Sequence, residues 1–116
     1  MLAKENRLRK AEDFRATMRN GRKTSSANFV IYLKRDLGNT QARFGFVVAK
    51  TVGNAVKRNL VKRRLRELAQ SQLPQMAFPA DVVVRALPGS ASIDWNTLVE
   101  EFNEAWTKAS DRAIQA

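Results

Sequence analysis

Lys50 to Glu67 reads KTVGNAVKRNLVKRRLRE. Gly53 and Asn54 break a strand-like run and precede a helix-like one. Asn is a favoured helix N-cap, because its side-chain oxygen accepts a free amide of the first turn. A helix is therefore expected from the Asn54 cap to about Gln72, just short of Pro74, which disfavours continuation. At about 100° per residue, Arg58, Lys62 and Arg66 fall on one stripe, with Asn59 and Arg63 alongside. Val61, Leu65 and Leu68 form a second stripe suited to burial. Val56, Lys57, Leu60 and Arg64 fall outside both. Residues 50–66 hold seven Lys/Arg and no acid. Close like-charge pairs on a helix repel by roughly 0.2–0.5 kcal/mol each. An ordinary solvated face mixes Glu with Lys. A face of one sign fits a polyanion lying along it, although charge alone does not separate RNA from DNA.

The remaining composition sharpens this. The chain has 116 residues, 44% of them hydrophobic, which suits one domain with a modest core. A single domain over 1–116 is expected, with 1–9 as a flexible arm and 111–116 as a tail. There is no Cys and no His. Zinc ribbons and disulfide scaffolds are excluded, and the commonest general base is missing. The net charge of +10 is unevenly placed: residues 1–35 carry +7, residues 50–66 another +7, and residues 67–116 carry −4. Such asymmetry implies an oriented field and a polyanionic partner on one side. The N-terminal MLAKENRLRKAEDF has no apolar run of the secretory type. No stretch approaches the ~18 apolar residues of a membrane span. A cytoplasmic location follows as an expectation. An anionic membrane surface fits the charge, but the basic helix lacks a broad apolar face to insert.

Along the chain, Ala11 to Asn20 reads as a short helix closed by Gly21. Glu12 and Asp13 stand in its first turn and Arg19 in its last, as the helix dipole favours. Phe14 and Met18 share a face. Arg22 to Ala27 is a connector that can pair as a short edge strand. Asn28 to Lys34 alternates, with Phe29, Ile31 and Leu33 on one side and Val30, Tyr32 and Lys34 on the other. Tyr32 between Val30 and Lys34 points to a face only partly covered. Arg35 to Ala42, with Asp36, Gly38 and Asn39, reads as a loop. Arg43 to Lys50 is the next strand, where Gly45 leaves room for a close approach. These two strands are expected to form an antiparallel hairpin. Leu73 to Pro79 is a connector. Asp81 to Leu87 reads as a continuous apolar run, suited to a buried central strand. Ile93 to about Ala109 is an amphipathic helix starting near Ser92 or Asp94. Its apolar face holds Trp95, Leu98, Val99, Phe102, Ala105, Trp106 and Ala109, and the tryptophans read as core anchors rather than stacking platforms. The fold class is α+β, in the order α-β-β(-β)-α-β-α, with a mostly antiparallel sheet.

No catalytic cluster is evident. Phosphodiester hydrolysis needs metal-holding carboxylates or a tuned acid–base pair. Glu100, Glu101 and Glu104 cluster only as the polar side of the last helix. Gly53 falls far short of a phosphate-binding loop.

The run V-G-N-A-V-K-R-N-L-V-K-R-R-L-R-E resembles the signature helix of the protein subunit of bacterial ribonuclease P. The family pattern is an apolar-Gly-Asn-Ala lead, then Arg-Asn, then Lys-Arg and a further basic residue. Arg58-Asn59, Lys62-Arg63 and Arg66 stand in those places. Thr51 and Leu60 depart from it, standing where basic or polar residues are frequent. Arg7-Leu8, Glu12-Asp13-Phe14, Phe29-Val30-Ile31-Tyr32 and Gly45-Phe46-Val47-Val48-Ala49-Lys50 extend the likeness, so that it covers Asn6 to about Leu87.

The resemblance implies a left-handed crossover around the basic helix, against the usual right-handed rule. It implies a subunit of a tRNA 5′-maturation endoribonuclease whose RNA partner carries the chemistry with Mg²⁺. No metal-ligating or cofactor-binding residues are assigned in the protein itself, and whether it binds a metal is left open. It would bind the catalytic RNA and the 5′ leader of precursor tRNA as a monomer. The implied RNA-binding set on the helix is Asn54, Lys57, Arg58, Asn59, Lys62, Arg63, Arg64 and Arg66. The leader cleft would be lined by Phe14, Met18, Tyr32 and Lys50, with N-terminal contacts from Arg7 and Arg9. Met18 stands where a second aromatic is common. Stacking on unpaired bases is a usual way to hold single-stranded RNA without reading its sequence. Two other readings share the charge: a ribosomal-type binder of folded RNA, and a DNA-binding protein. The second lacks a helix with side chains suited to base edges.

Overall fold

The computed structural model describes residues 2–35, 41–76 and 78–115. The elements run α1 (Ala11–Asn20), β1 (Arg22–Ser25), β2 (Phe29–Arg35), β3 (Arg43–Val47), α2 (Ala55–Gln72), β4 (Ala80–Ala86) and α3 (Trp95–Gln115), with single 3-10 turns at Lys4–Asn6, Lys50–Val52 and Leu73–Gln75. This is an α+β domain of three α-helices and a four-stranded mixed sheet. The loop expected at Arg35 to Ala42 lies mostly outside the described residues.

Sheet order is β1-β2-β4-β3. β2 pairs antiparallel with β4 from Phe29↔Ala86 to Arg35↔Ala80, and β3 pairs parallel with β4 from Arg43↔Asp81 to Val47↔Arg85. The expected β2–β3 hairpin is therefore corrected. Its two arms keep opposite directions, but β4 lies between them. The reason is burial: Ala80 to Val84 is buried at every position, and such a run needs a partner on each edge and cover on each face. β1 takes the outer edge, pairing with β2 through Arg22↔Leu33 to Ser25↔Val30. Since β3 and β4 run parallel, the chain between them must cross over, and α2 is that crossover.

One face of the sheet carries the main core. Phe29, Ile31, Leu33, Phe44, Val82 and Val84 pack against Val61, Leu65, Leu68 and Ala69 of α2 and Leu98, Phe102, Ala105 and Trp106 of α3. Phe102 and Trp106 stack at 6.0 Å between ring centroids, and Phe29 and Phe44 meet them at 5.7 Å each. Trp106 is thus a core anchor, while Trp95 is half-buried. Fully burying a side chain of this kind contributes roughly 1.5–3 kcal/mol. The other face is covered by α1. Leu8, Val30, Tyr32 and Val83 form a second cluster, with Phe14, Met18 and Val47 packed against it.

Side-chain bonds tie the layers. Arg43 forks onto the buried Asp81 carboxylate at 2.9 and 2.8 Å, and its other nitrogen lies 3.5 Å from Asp13 of α1. The bidentate guanidinium offsets the cost of taking that carboxylate out of water. Glu101 of α3 is not merely part of a solvated face: its carboxylate accepts from Ser26 Oγ, Asn28 N and Asn28 Nδ2 at 2.6, 3.1 and 2.8 Å, pinning the β1–β2 turn.

Further expectations are corrected. From Leu2 onward the N-terminal segment is packed rather than a free arm: Leu2 and Leu8 are buried, Asn6 Nδ2 donates to Ala42 O, and Leu8 N donates to Phe44 O. β3 ends at Val47, so Lys50 stands in a 3-10 turn and not on the strand. α3 runs on to Gln115, and Ala113 is buried, so residues 111–115 are helix and not tail. Gly21 ends α1 with extended φ of −77°, not in the left-handed region. Glycine is needed there for space, since a Cβ would stand 2.5 Å from Thr17 O.

Two outcomes follow. A Cβ on Gly45 would lie 2.5 Å from the Phe14 ring, so α1 seats its aromatic on a bare patch of β3. Gly45→Ala is expected to lower the unfolding free energy by about 1–2 kcal/mol as the ring is driven off its seat. In a Phe14→Ala background the same change should cost far less. Equal costs in chemical denaturation would mean the ring is not the obstacle.

Asp94 caps α3, its Oδ1 accepting from Thr97 N at 2.9 Å. Bonds from the Thr97 hydroxyl and amide hold its carboxyl below the ordinary value, aided by Arg64. A carboxyl depressed by folding contributes stability above its unfolded pKa and loses it as pH falls through the folded one. Asp94→Asn keeps a capping oxygen but should lack this component of acid sensitivity below about pH 4. Identical pH profiles of thermal unfolding for both chains would refute this.

Candidate nucleic-acid interface

α2 is capped as the sequence implies: Asn54 Oδ1 accepts from Lys57 N at 2.9 Å. Gly53, at φ of 155°, turns the chain sharply into the helix, a conformation that side chains rarely adopt. The helix then divides by face. Val61, Leu65, Leu68 and Ala69 are buried. Asn54, Lys57, Asn59, Arg63 and Arg66 are exposed, and Arg58, Leu60, Lys62 and Arg64 are half-buried. The first acid of the helix is Glu67, in its fourth turn. Asn59, Lys62, Arg63, Arg66, Glu67 and Gln70 line an open groove of about 580 Å³ along the helix.

The basic residues are not equivalent. Arg64 Nη1 donates to Ile93 O at 2.9 Å, fastening α2 to the segment before α3. Arg58, expected to face solvent, is half-buried, and its Nε is enclosed with no acceptor in reach. An enclosed unsatisfied donor is uncommon in native folds. Arg7 turns back, its Nε and Nη2 donating to Leu2 O at 3.0 and 2.7 Å. Arg9 is exposed.

The leader-cleft set divides as well. Phe14 is half-buried and lines a cleft of about 170 Å³ with Arg7, Gly45, Phe46, Lys62 and Arg66. The structure thus brings the α1 aromatic to the flank of the basic helix. Met18 is half-buried in the cluster under α1. Tyr32, expected on a half-open face, is only 7% exposed, enclosed with Leu8, Val30 and Val83. Alternation gave its face correctly, but α1 covers that face. Lys50 is exposed in its 3-10 turn.

One residue was missed. Arg85 is exposed on β4, in register with Val30 on one side and Val47 on the other. It lies on the α1 side of the sheet, on its central strand. The signal was the charge interrupting the apolar run DVVVRAL. Val82, Val84 and Ala86 point to the main core, and Val83 and Arg85 point the other way.

Among the described residues, no three of His, Cys, Asp or Glu stand close enough to hold a metal ion. No described helix is long and apolar enough to cross a membrane.

Such a domain, with a cationic crossover helix beside a cleft under α1, belongs to the class of small basic α+β proteins. Comparison makes the assignment specific. The family model for ribonuclease P matches residues 2–110. The ribonuclease P protein component of Pseudarthrobacter chlorophenolicus is 45% identical over 112 residues, covering 97% of this chain and 82% of that protein. That of Clavibacter michiganensis is 39% identical, covering 94% and 96%. The solved ribonuclease P protein of Staphylococcus aureus matches with a TM-score of 0.83 at 25% identity, over 90% of this chain and 94% of that one. That of Thermotoga maritima gives 0.74 at 26% identity, over 84% and 92%. The chain belongs to the ribonuclease P protein family.

The division among the arginines is testable by folding alone. Arg64→Ala is expected to cost about 0.5–1.5 kcal/mol of stability, the usual net loss for one hydrogen bond. Arg63→Ala and Arg66→Ala, at exposed positions, should stay within about 0.5 kcal/mol of the parent. Denaturation midpoints that rank the three alike would remove the structural role given to Arg64.

Proposed function

We propose that this protein is the subunit that binds the catalytic RNA of ribonuclease P and holds the 5′ leader of precursor tRNA during removal of the leader. Chemistry belongs to the RNA partner and its Mg²⁺, and the protein acts as one copy per complex in the cytoplasm. The observation that carries this reading is the groove along α2 where the exposed Asn59, Arg63 and Arg66 stand with Lys62, and where no acid of the helix precedes Glu67 at its far end. Its contacts are of the phosphate type, which position an RNA without reading its sequence. The chain holds no His or Cys that would serve as base or nucleophile.

For the leader, the cleft between Phe14 and the α2 residues Lys62 and Arg66 offers an aromatic flank and two cations. Arg85 adds a cation on the sheet beyond it. Tyr32 supports the floor under α1 rather than stacking on a base. A structural binder of folded RNA shares the charge of α2 but has no use for the Phe14 cleft, so the leader is what separates the two readings.

The test uses purified protein, its matching catalytic RNA and precursor tRNA with and without a leader. Protein alone should not cleave, and protein plus RNA should cleave at lower Mg²⁺ than RNA alone. Arg66→Ala should lower the slope of log affinity against log salt for the catalytic RNA by roughly 0.7–0.9. Phe14→Ala should weaken the holoenzyme's hold on leader-bearing tRNA by up to about 1–3 kcal/mol and leave mature tRNA unchanged. Cleavage by nuclease-free protein without RNA would overturn the assignment of chemistry. Equal losses for both tRNAs would overturn the leader assignment.

A further inference from the structure

Val56 is 77% exposed, and no other large hydrophobic among the described residues stands out as exposed. It lies in the first turn of α2, followed at i+3, i+4 and i+7 by Asn59, Leu60 and Arg63, which share its outer arc. Asn59 and Arg63 are exposed and Leu60 half-buried. A β-branched residue on a solvated helix surface is a poor local choice, since it loses χ1 freedom and gains no packing. Local choices that run against the fold mark functional positions more often than others. The first turn also holds Lys57 and no acid, although a helix N-terminus favours negative side chains. The negative charge that this turn lacks is what an RNA backbone brings.

We propose that Val56, with Leu60 one turn on, is an apolar contact for an unpaired nucleotide of the RNA that lies along α2. The inference rests on the RNA-binding reading above and deepens it. Size decides the occupant. A protein partner needs an apolar patch of several hundred Å², and two aliphatic side chains ringed by cations do not supply one. A single base does fit: it presents a flat apolar face while its phosphates meet Lys57 and Arg63. In a duplex those faces are hidden in the stack, so the occupant is a base in a loop, bulge or end. The contact gives α2 a means of telling folded, looped RNA from plain duplex, which phosphate contacts alone cannot do.

The experiment measures binding of the full chain to the catalytic RNA and to a perfect RNA duplex of similar length, across a salt series. Val56→Ala is expected to weaken binding to the catalytic RNA roughly 3- to 15-fold, from the loss of two methyl groups at the contact. The salt slope, the duplex affinity and the melting temperature should stay as in the parent. Val56→Met should retain binding. Arg63→Ala serves as the contrast, lowering the salt slope and weakening both RNAs. Unchanged affinity of Val56→Ala while Arg63→Ala weakens binding overturns this inference and spares the RNA-binding reading. An Arg63→Ala chain indistinguishable from the parent on both RNAs counts against that reading itself. Equal losses of Val56→Ala on duplex and catalytic RNA overturn the unpaired nucleotide. A change in oligomeric state on sedimentation assigns the strip to a second copy of the chain instead.

Discussion

Everything in this fold depends on β4 having a partner on both edges and cover on both faces. Ala80 to Val84 buries every residue, and a strand of that kind cannot stand at an edge. β2 takes one side and β3 the other, in opposite directions. The parallel pairing obliges the chain to leave the sheet after β3 and return, which makes α2 a crossover. α2 must then bury one side against the sheet and turn the other out. The basic arc is the outward side of an element that the sheet requires. α1 closes the opposite face, where Gly45 gives Phe14 a seat within reach of Lys62 and Arg66.

Charge is arranged around this frame by use. Arg43 is committed to Asp81, Arg64 to the Ile93 carbonyl and Arg7 to the Leu2 carbonyl. These cations hold layers together. Lys57, Arg63 and Arg66 are exposed, their charge open to solvent, salt or a polyanion. Counting basic residues therefore overstates the interface, and it is the hydrogen-bond partners that tell the two kinds apart.

The sequence made α2 legible to within a residue, because its signals are local: Gly53 and Asn54 for the start, apolar spacing for the buried side, Pro74 for the end. The main-core face of β2 was legible for the same reason, as alternation depends only on neighbours in the chain. The hairpin was not. Strand pairing is set by competition, and the apolar run after Pro79 outcompetes β3 for β2. Reading Asp81 to Leu87 as central implied two partners for it but did not say which strands they are. Tyr32 shows the same boundary: alternation assigns a face, but only the packing of α1, a separate element, says whether that face is open. Arg85 was hidden in a run read as uniformly apolar. The bond of Arg64 spans 29 residues, and no local pattern records it.

The insertion of β4 between β2 and β3 also has a temporal side. Synthesis delivers β2 and β3 well before β4, the strand that joins them. Until then each carries an unpaired edge, the kind of exposure that invites wrong partners. Non-local pairing of this order is intrinsically slow. The helix rich in cations is complete by Gln72, before the sheet can close. A nascent chain thus exposes its cationic helix earlier than its finished fold.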